Sequence, residues 1–215
     1  MPVRILLADD HSILRQGLRR ILESYPGFEV VAEAGSGLQA VDLARELQPD
    51  VAIVDVGMPG LNGIEAAAQI LRRSPATSVL ILSMHNDERY VSRAIRAGAR
   101  GYLLKDSVEE DLITAIQLAS QGKSFFSPAV EALLESRQAA VATPAGLEDR
   151  YELLTERERQ IYQLLAEGKS NKEIAAMLNL SLHTVETHRT RIMDKMDVHS
   201  AAELVLSAVR RGLVR

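Results

Sequence analysis

No cysteine occurs among the 215 residues. That excludes disulfides, thiol nucleophiles and thiolate metal sites, and it fits a cytoplasmic location. No apolar run approaches the roughly 18–20 residues of a membrane-spanning helix, so no membrane partner is expected. Met1-Pro2-Val3-Arg4 leads into a short strand-like run and then acids, unlike a secretory leader. A strong charge bias is missing too. Residues 151–215 hold ten Lys/Arg against nine Asp/Glu, and the remainder holds fifteen against twenty. Composition alone therefore does not mark a nucleic-acid binder. The rest is ordinary for a soluble chain of one or two domains: 47% hydrophobic and 25% charged, with net charge −4.

The most informative stretch lies at residues 50–60. Residues 51–54 form an apolar, β-branched run that suits a strand covered on both faces. It ends at Asp55, and Gly57, Pro59 and Gly60 then break it. In open parallel sheets, ligands bind at the carboxyl ends of strands. A strand-end Asp can equally cap a helix or form a turn, so the argument needs the remaining strands.

Residues 4–8 read as a strand ending at Asp9-Asp10, with Ser12 able to cap the following helix. Residues 28–34, 51–55, 78–83 and 101–104 read as four more strands, each followed by a helical pattern. Five alternations within about 120 residues imply an α/β, doubly wound, five-stranded parallel sheet with right-handed crossovers. The strand ends then carry Asp9 and Asp10, Asp55, Ser83, and Lys105. A cap or a solvated charge explains any one of these, but not three carboxylates, a hydroxyl and a lysine on one sheet edge.

Crowded carboxylates persist when a cation compensates them. Oxygen donors alone suit Mg²⁺. Asp10 and Asp55 are the expected direct ligands, with Asp9 acting through water and the Gly57 carbonyl as a further donor. Such a site neutralises an incoming phosphoryl group, and Lys105 can pair with its oxygens. Asp55 can act as the nucleophile and Ser83 as a hydrogen-bond donor.

These residues, with Asp55-Val56-Gly57-Met58-Pro59-Gly60 and Gly101-Tyr102-Leu103-Leu104-Lys105, resemble the flavodoxin-like receiver domain of two-component response regulators over residues 3–121. The resemblance implies phosphorylation of Asp55 by a sensor histidine kinase. It also implies movement of Ser83 toward the phosphoryl group and an inward swing of Tyr102. Asp106 follows Lys105 where many receivers carry Pro, so a cis bond is not expected there. Gly57 cannot shield a phosphoryl group, and with His85 it is expected to set the lifetime of the phosphorylated state.

Residues 122–149 read as a joint. Phe125-Phe126 opens it, as packing or as an interface. A short helix carries Val130, Leu133 and Leu134, and residues 138–146 form a weakly patterned linker. From residue 150 the pattern is all-α, with four helices. Thr155 and Glu158 form a capping box. A helix over residues 171–178 turns at Asn179-Leu180 into one of about 15 residues capped by Ser181, and Ser200 opens the last. At about 100° per residue, Val185, Ile192 and Met196 share one stripe of the third helix. His183, Glu186, Thr187, Thr190, Arg191 and Asp194 lie opposite, and His188 lies near the core stripe. A helix so divided can lie in a major groove, or simply be a solvated surface helix.

Residues 150–215 resemble the LuxR-type helix-turn-helix domain, and with the receiver the chain resembles the LuxR/FixJ (NarL) type of response regulator. The resemblance implies base contacts by Glu186, Thr187 and Thr190, and phosphate contacts by Lys172, Thr184, Arg189, Arg191 and Lys195. It implies double-stranded DNA as a partner, with RNA polymerase a further candidate. Many relatives have Lys where Glu186 stands. With three Arg/Lys against three Asp/Glu in residues 181–200, one module should bind DNA weakly, so a homodimer on a two-fold site is expected. Two rivals remain: an aspartate-based phosphohydrolase, which would need an acid where Gly57 stands, and a regulator acting through protein contacts without phosphorylation.

Overall fold

The computed structural model describes residues 1–139 and 150–214. Residues 140–146 of the expected linker lie outside them. The chain divides into two compact units, Met1–Ala142 and Thr143–Arg215.

In the first unit, strands and helices alternate: β1 Val3–Ala8, α1 Ser12–Glu23, β2 Phe28–Ala34, α2 Gly37–Leu47, β3 Val51–Asp55, α3 Gly63–Arg73, β4 Ser78–Ser83, α4 Glu88–Arg96, β5 Gly101–Leu104 and α5 Val108–Ser120. A short β6, Phe125–Phe126, and α6, Pro128–Ala139, follow. All strand pairs are parallel, in the order β2-β1-β3-β4-β5-β6. The order reverses between β1 and β3, and that crevice is where such sheets bind ligands.

The sheet therefore has six strands rather than the five expected. Phe125 and Phe126 pair with Gly101 and Tyr102. Two residues are too short to show a strand period. Only a Gly at position 101 permits the pairing, because a Cβ there would meet the Phe125 carbonyl oxygen at 2.4 Å and Leu80 Cδ2 at 2.7 Å.

The strands are apolar on both faces because both faces are covered. On one side, α1 and α5 bury Leu18, Leu22, Leu112 and Ile116 against Ile5, Leu7, Ile53 and Leu82. On the other, α2, α3 and α4 bury Val41, Ala67, Ile70 and Val91 against Leu6, Ala52, Val54 and Ile81. Val130 of α6 is fully buried in that second cluster, with Phe126 and Leu134 packed beside it. Helix α6 is thus part of the first unit's core and lies against α4.

The second unit is helical: α7 Glu156–Ala166, α8 Asn171–Leu178, α9 Leu182–Met196 and α10 Ala201–Arg210, after a turn of 3₁₀ helix at Arg150–Leu153. Capping boxes at Thr155/Glu158 and Ser170/Glu173 start α7 and α8, and Ser181 and Ser200 cap α9 and α10. Asn179 ends α8 in the left-handed conformation, φ 52°, which Asn adopts more readily than most residues. Tyr151, Ile161, Leu164, Ile174, Val185, Ile192 and Leu204 make up the core.

Candidate functional site: an acid pocket and an exposed helix

Strand β1 ends by delivering Asp9 and Asp10 to the crevice, and β3 delivers Asp55 beside them. The crossing loops are tight. Val56 N–H donates to Leu82 O (3.0 Å), Gly63 N–H to Val56 O (3.0 Å), and the Asn62 side chain accepts from Ile64 and Glu65 N–H, both 3.1 Å. A Cβ at Gly63 would lie 2.0 Å from Asp55 O, so the start of α3 approaches the Asp55 backbone as only glycine permits.

Asp9 is 0% exposed and Asp55 2%. Lys105 bridges them, its Nζ lying 2.8 Å from Asp9 Oδ2 and 3.0 Å from Asp55 Oδ2. Burial raises the Asp55 carboxyl above the ordinary carboxylate range, and Asp9 adds to this. Lys105 and the Gly57 N–H, which donates to Asp55, pull it back. Asp10 is exposed.

The capping expected of Ser12 is not observed. Ser12 is the first helical residue, and His11 holds the N-cap position without a side-chain cap bond. The His11 N–H and ring go to the acids instead: N–H to Asp9 Oδ1 at 2.7 Å, and Nδ1 at 2.8 Å from Asp10 Oδ1. Arg15 donates to the Asp9 carbonyl and to Glu33 Oε2 (3.0 Å), holding the turn. Asp9, Asp10, His11 and Asp55 each place a ligand atom within 4.8 Å of the others. Asp9 Oδ2 and Asp55 Oδ2 both face Lys105 Nζ. The three carboxylates of this set fit a hard divalent cation such as Mg²⁺.

Ser83 and Tyr102 meet through the backbone of His85. His85 N–H donates to Ser83 Oγ (3.0 Å), and Tyr102 Oη donates to His85 O (2.7 Å). Tyr102 lies inward, fully buried, and burial raises its phenol's pKa. The His85 ring stacks on Tyr90 of α4, centroids 4.7 Å apart and nearly parallel. Ser127 N–H, at the start of α6, donates to Tyr102 O (3.3 Å). Hydrogen bonds and packed rings thus lead from Ser83 to α4 and α6. Among the described residues no peptide bond is cis.

In the second unit, α9 presents His183, Glu186, Thr190, Arg191 and Asp194 to solvent, with Thr187, His188 and Arg189 half-buried. Thr187 Oγ1 donates to His183 O (2.9 Å) and Thr190 Oγ1 to Glu186 O (3.2 Å). Each threonine hydroxyl proton is therefore used within the helix. Thr184 Oγ1 lies 2.7 Å from Ser181 Oγ, and Lys172 is exposed. Lys195 is engaged internally, its Nζ 2.6 Å from Oε2 of the buried Glu158. Burial opposes ionisation of Glu158, but Lys195 and Thr155 outweigh it and lower its pKa. His188 Nδ1 is buried without a hydrogen-bond partner.

Residues 5–117 match the response regulator receiver domain, and residues 152–208 match bacterial regulatory proteins of the luxR family. The chain belongs to the two-component response regulators of the NarL type. It is 40% identical to the nitrate/nitrite response regulator protein NarP of Escherichia coli, covering 98% of this chain and 97% of that one. It is 37% identical to the oxygen regulatory protein NreC of Staphylococcus carnosus, covering 99% of both. A solved structure of the response regulator RcsB bound to DNA is 29% identical and aligns over 97% of this chain and all of that one, with a TM-score of 0.59.

This response regulator gathers Asp9, Asp10, Asp55 and Lys105 at one crevice, with Ser83 and Tyr102 joined to each other beside it. His11, Arg15 and Tyr90 were missed from sequence. The adjacency Asp9-Asp10-His11 could have flagged His11. Arg15 and Tyr90 carried no comparable signal, because their contacts are made by folding. No helix among the described residues is long and apolar enough to cross a membrane.

Proposed function

We propose that Asp55 accepts a phosphoryl group from a partner sensor histidine kinase, and that this change controls dimerisation and promoter binding. The observation that carries the reading is the Asp9–Lys105–Asp55 bridge at the crevice, on the sheet edge where neighbouring β4 ends at Ser83. Burial makes the Asp55 carboxylate more basic, hence a better nucleophile, while Lys105 opposes that rise. Asp9, Asp10 and Asp55, with the Gly57 carbonyl, would hold Mg²⁺, which supplies charge neutralisation for the entering phosphoryl oxygens. Ser83 Oγ, which accepts from His85 N–H, would turn its O–H toward a phosphoryl oxygen.

The added group brings about −1.5 to −2 charges. A shift of Ser83 toward it pulls the His85 peptide, and Tyr102 and Tyr90 carry the change to α4 and, through Ser127, to α6. Strand β6 already occupies the edge of β5, and helix α6 packs against α4. The outer face of α1, where Ile13 is 86% exposed, is therefore the favoured face for pairing receivers. Two second units on a two-fold DNA site would lay α9 in the major groove. Glu186, Thr187 and Thr190 would meet bases, and Lys172, Thr184, Arg189 and Arg191 the phosphates. Lys195 fits this role less well, being held by Glu158. RNA polymerase is a downstream partner of such a complex.

The test is labelling of the full chain by a small acyl phosphate with Mg²⁺, followed by peptide mapping and DNA binding. Label on Asp55, lost in Asp55→Asn, with tighter DNA binding and a larger sedimenting species, is expected. Label elsewhere, or DNA binding indifferent to labelling, overturns the reading.

A further inference from the structure

His11 stands where a helix normally places a capping side chain, yet its ring makes no cap bond and turns to the carboxylates. Its Nδ1 lies 2.8 Å from Asp10 Oδ1 and 3.3 Å from Asp9 Oδ1. One ring nitrogen belongs to the group whose ligand atoms all fall within 4.8 Å of one another. Its N–H also donates to Asp9 Oδ1 (2.7 Å), which fixes the backbone that carries the ring. Three consecutive residues therefore aim donors at one point, on a turn fastened by Arg15 to the Asp9 carbonyl. The imidazole is 44% exposed, so it can turn toward a cation without disturbing the core.

We propose that His11 is a side-chain ligand of the cation held by Asp9, Asp10 and Asp55, and shifts the pocket's preference toward ions that favour imidazole nitrogen, such as Co²⁺. The inference rests on the acid-pocket reading above. Mg²⁺ prefers oxygen donors and gives up its waters reluctantly, so a nitrogen adds little for it. Imidazole is a good ligand for the later first-row divalent ions, whose affinities rise along the Irving–Williams order. A bland alternative exists in the same distances: His11 could simply orient Asp10 by a hydrogen bond. That role would support all divalent ions alike.

The two roles separate in calorimetric titrations of the untagged full chain with Mg²⁺ and with Co²⁺, using wild type, His11→Ala, His11→Gln and Asp10→Asn. His11→Ala should weaken Co²⁺ by about tenfold and Mg²⁺ by less than about twofold. His11→Gln, which restores an oxygen, should keep Mg²⁺ and still lose Co²⁺. Proton NMR of the Co²⁺-loaded wild type should show a strongly shifted imidazole N–H resonance that is absent from His11→Ala. Equal loss for both ions, or no loss, or persistence of that resonance, overturns the assignment of His11 as a ligand. Should wild type bind neither ion, or Asp10→Asn bind both unchanged, the acid-pocket reading fails with it. Strong loss in Asp10→Asn without selective loss in the His11 variants removes His11 alone.

Discussion

In the receiver, three of the four charges at the crevice have left the water, and Asp10 alone is exposed. Asp9, Asp55 and Lys105 are buried together, and their ion contacts replace hydration. In the helix-turn-helix unit, Lys172, Glu186 and Arg191 face solvent, while the buried carboxylate, Glu158, has a structural duty as capping-box partner and anchor of Lys195. A phosphoryl acceptor needs fixed, desolvated groups whose field is strong. A DNA reader needs groups that can reach a large external polyanion. Removing a functional charge should therefore have opposite consequences in the two units: large effects on stability in the first, small ones in the second.

The largest effect should follow Lys105→Met, which leaves two buried carboxylates uncompensated. About 3–5 kcal/mol of receiver stability should be lost and partly recovered with millimolar Mg²⁺, as read by urea unfolding with and without the ion. A loss unaffected by Mg²⁺ would break the link between the lysine and the cation site. Gly101→Ala comes next. Its Cβ cannot coexist with the Phe125 carbonyl, so β6 should detach, at about 1–3 kcal/mol. Hydrogen exchange should then show faster opening of α6 while β1 and β3 stay protected.

The pH response sharpens the contrast. The Asp55 pKa is raised, so its ionisation opposes folding at neutral pH, and that opposition fades as pH falls through its folded value toward the unfolded one. The Glu158 pKa is lowered, so its contribution is whole above the unfolded value and is lost as pH falls through the folded one. Asp55→Asn should therefore stabilise the receiver most near pH 7. Glu158→Gln should cost the second unit about 1–2 kcal/mol near pH 7 and progressively less in acid. Hydrogen exchange on the full chain, resolved by unit, reads both. Smallest in stability is the test on the DNA face. Lys172→Ala and Arg191→Ala should each lower the salt slope of DNA binding by about one while leaving folding intact. Lys195→Ala should lower stability and leave the slope unchanged.

The acid pocket was legible because a parallel sheet sends every strand's carboxyl end to the same edge. Asp9, Asp10, Asp55, Ser83 and Lys105 could be aligned once the strands were recognised. The caps of α7 and α9 were legible because they are local, made within three residues. The sixth strand was not, since two phenylalanines show no period. Nor was the placement of Lys195, which on a helical wheel looks like any outward cation until Glu158 arrives from 37 residues away.

Sequence alone settled which residues lie at the ends of the five long strands, which faces are apolar and where most helices begin, because each of these follows from local backbone geometry and hydrophobic period. Only the tertiary structure decided which charges pair: Lys105 with both buried acids, Lys195 with Glu158, and His11 with the acids rather than with its own helix. Those pairings join distant or competing partners, and their strength depends on how much water folding removes from between them.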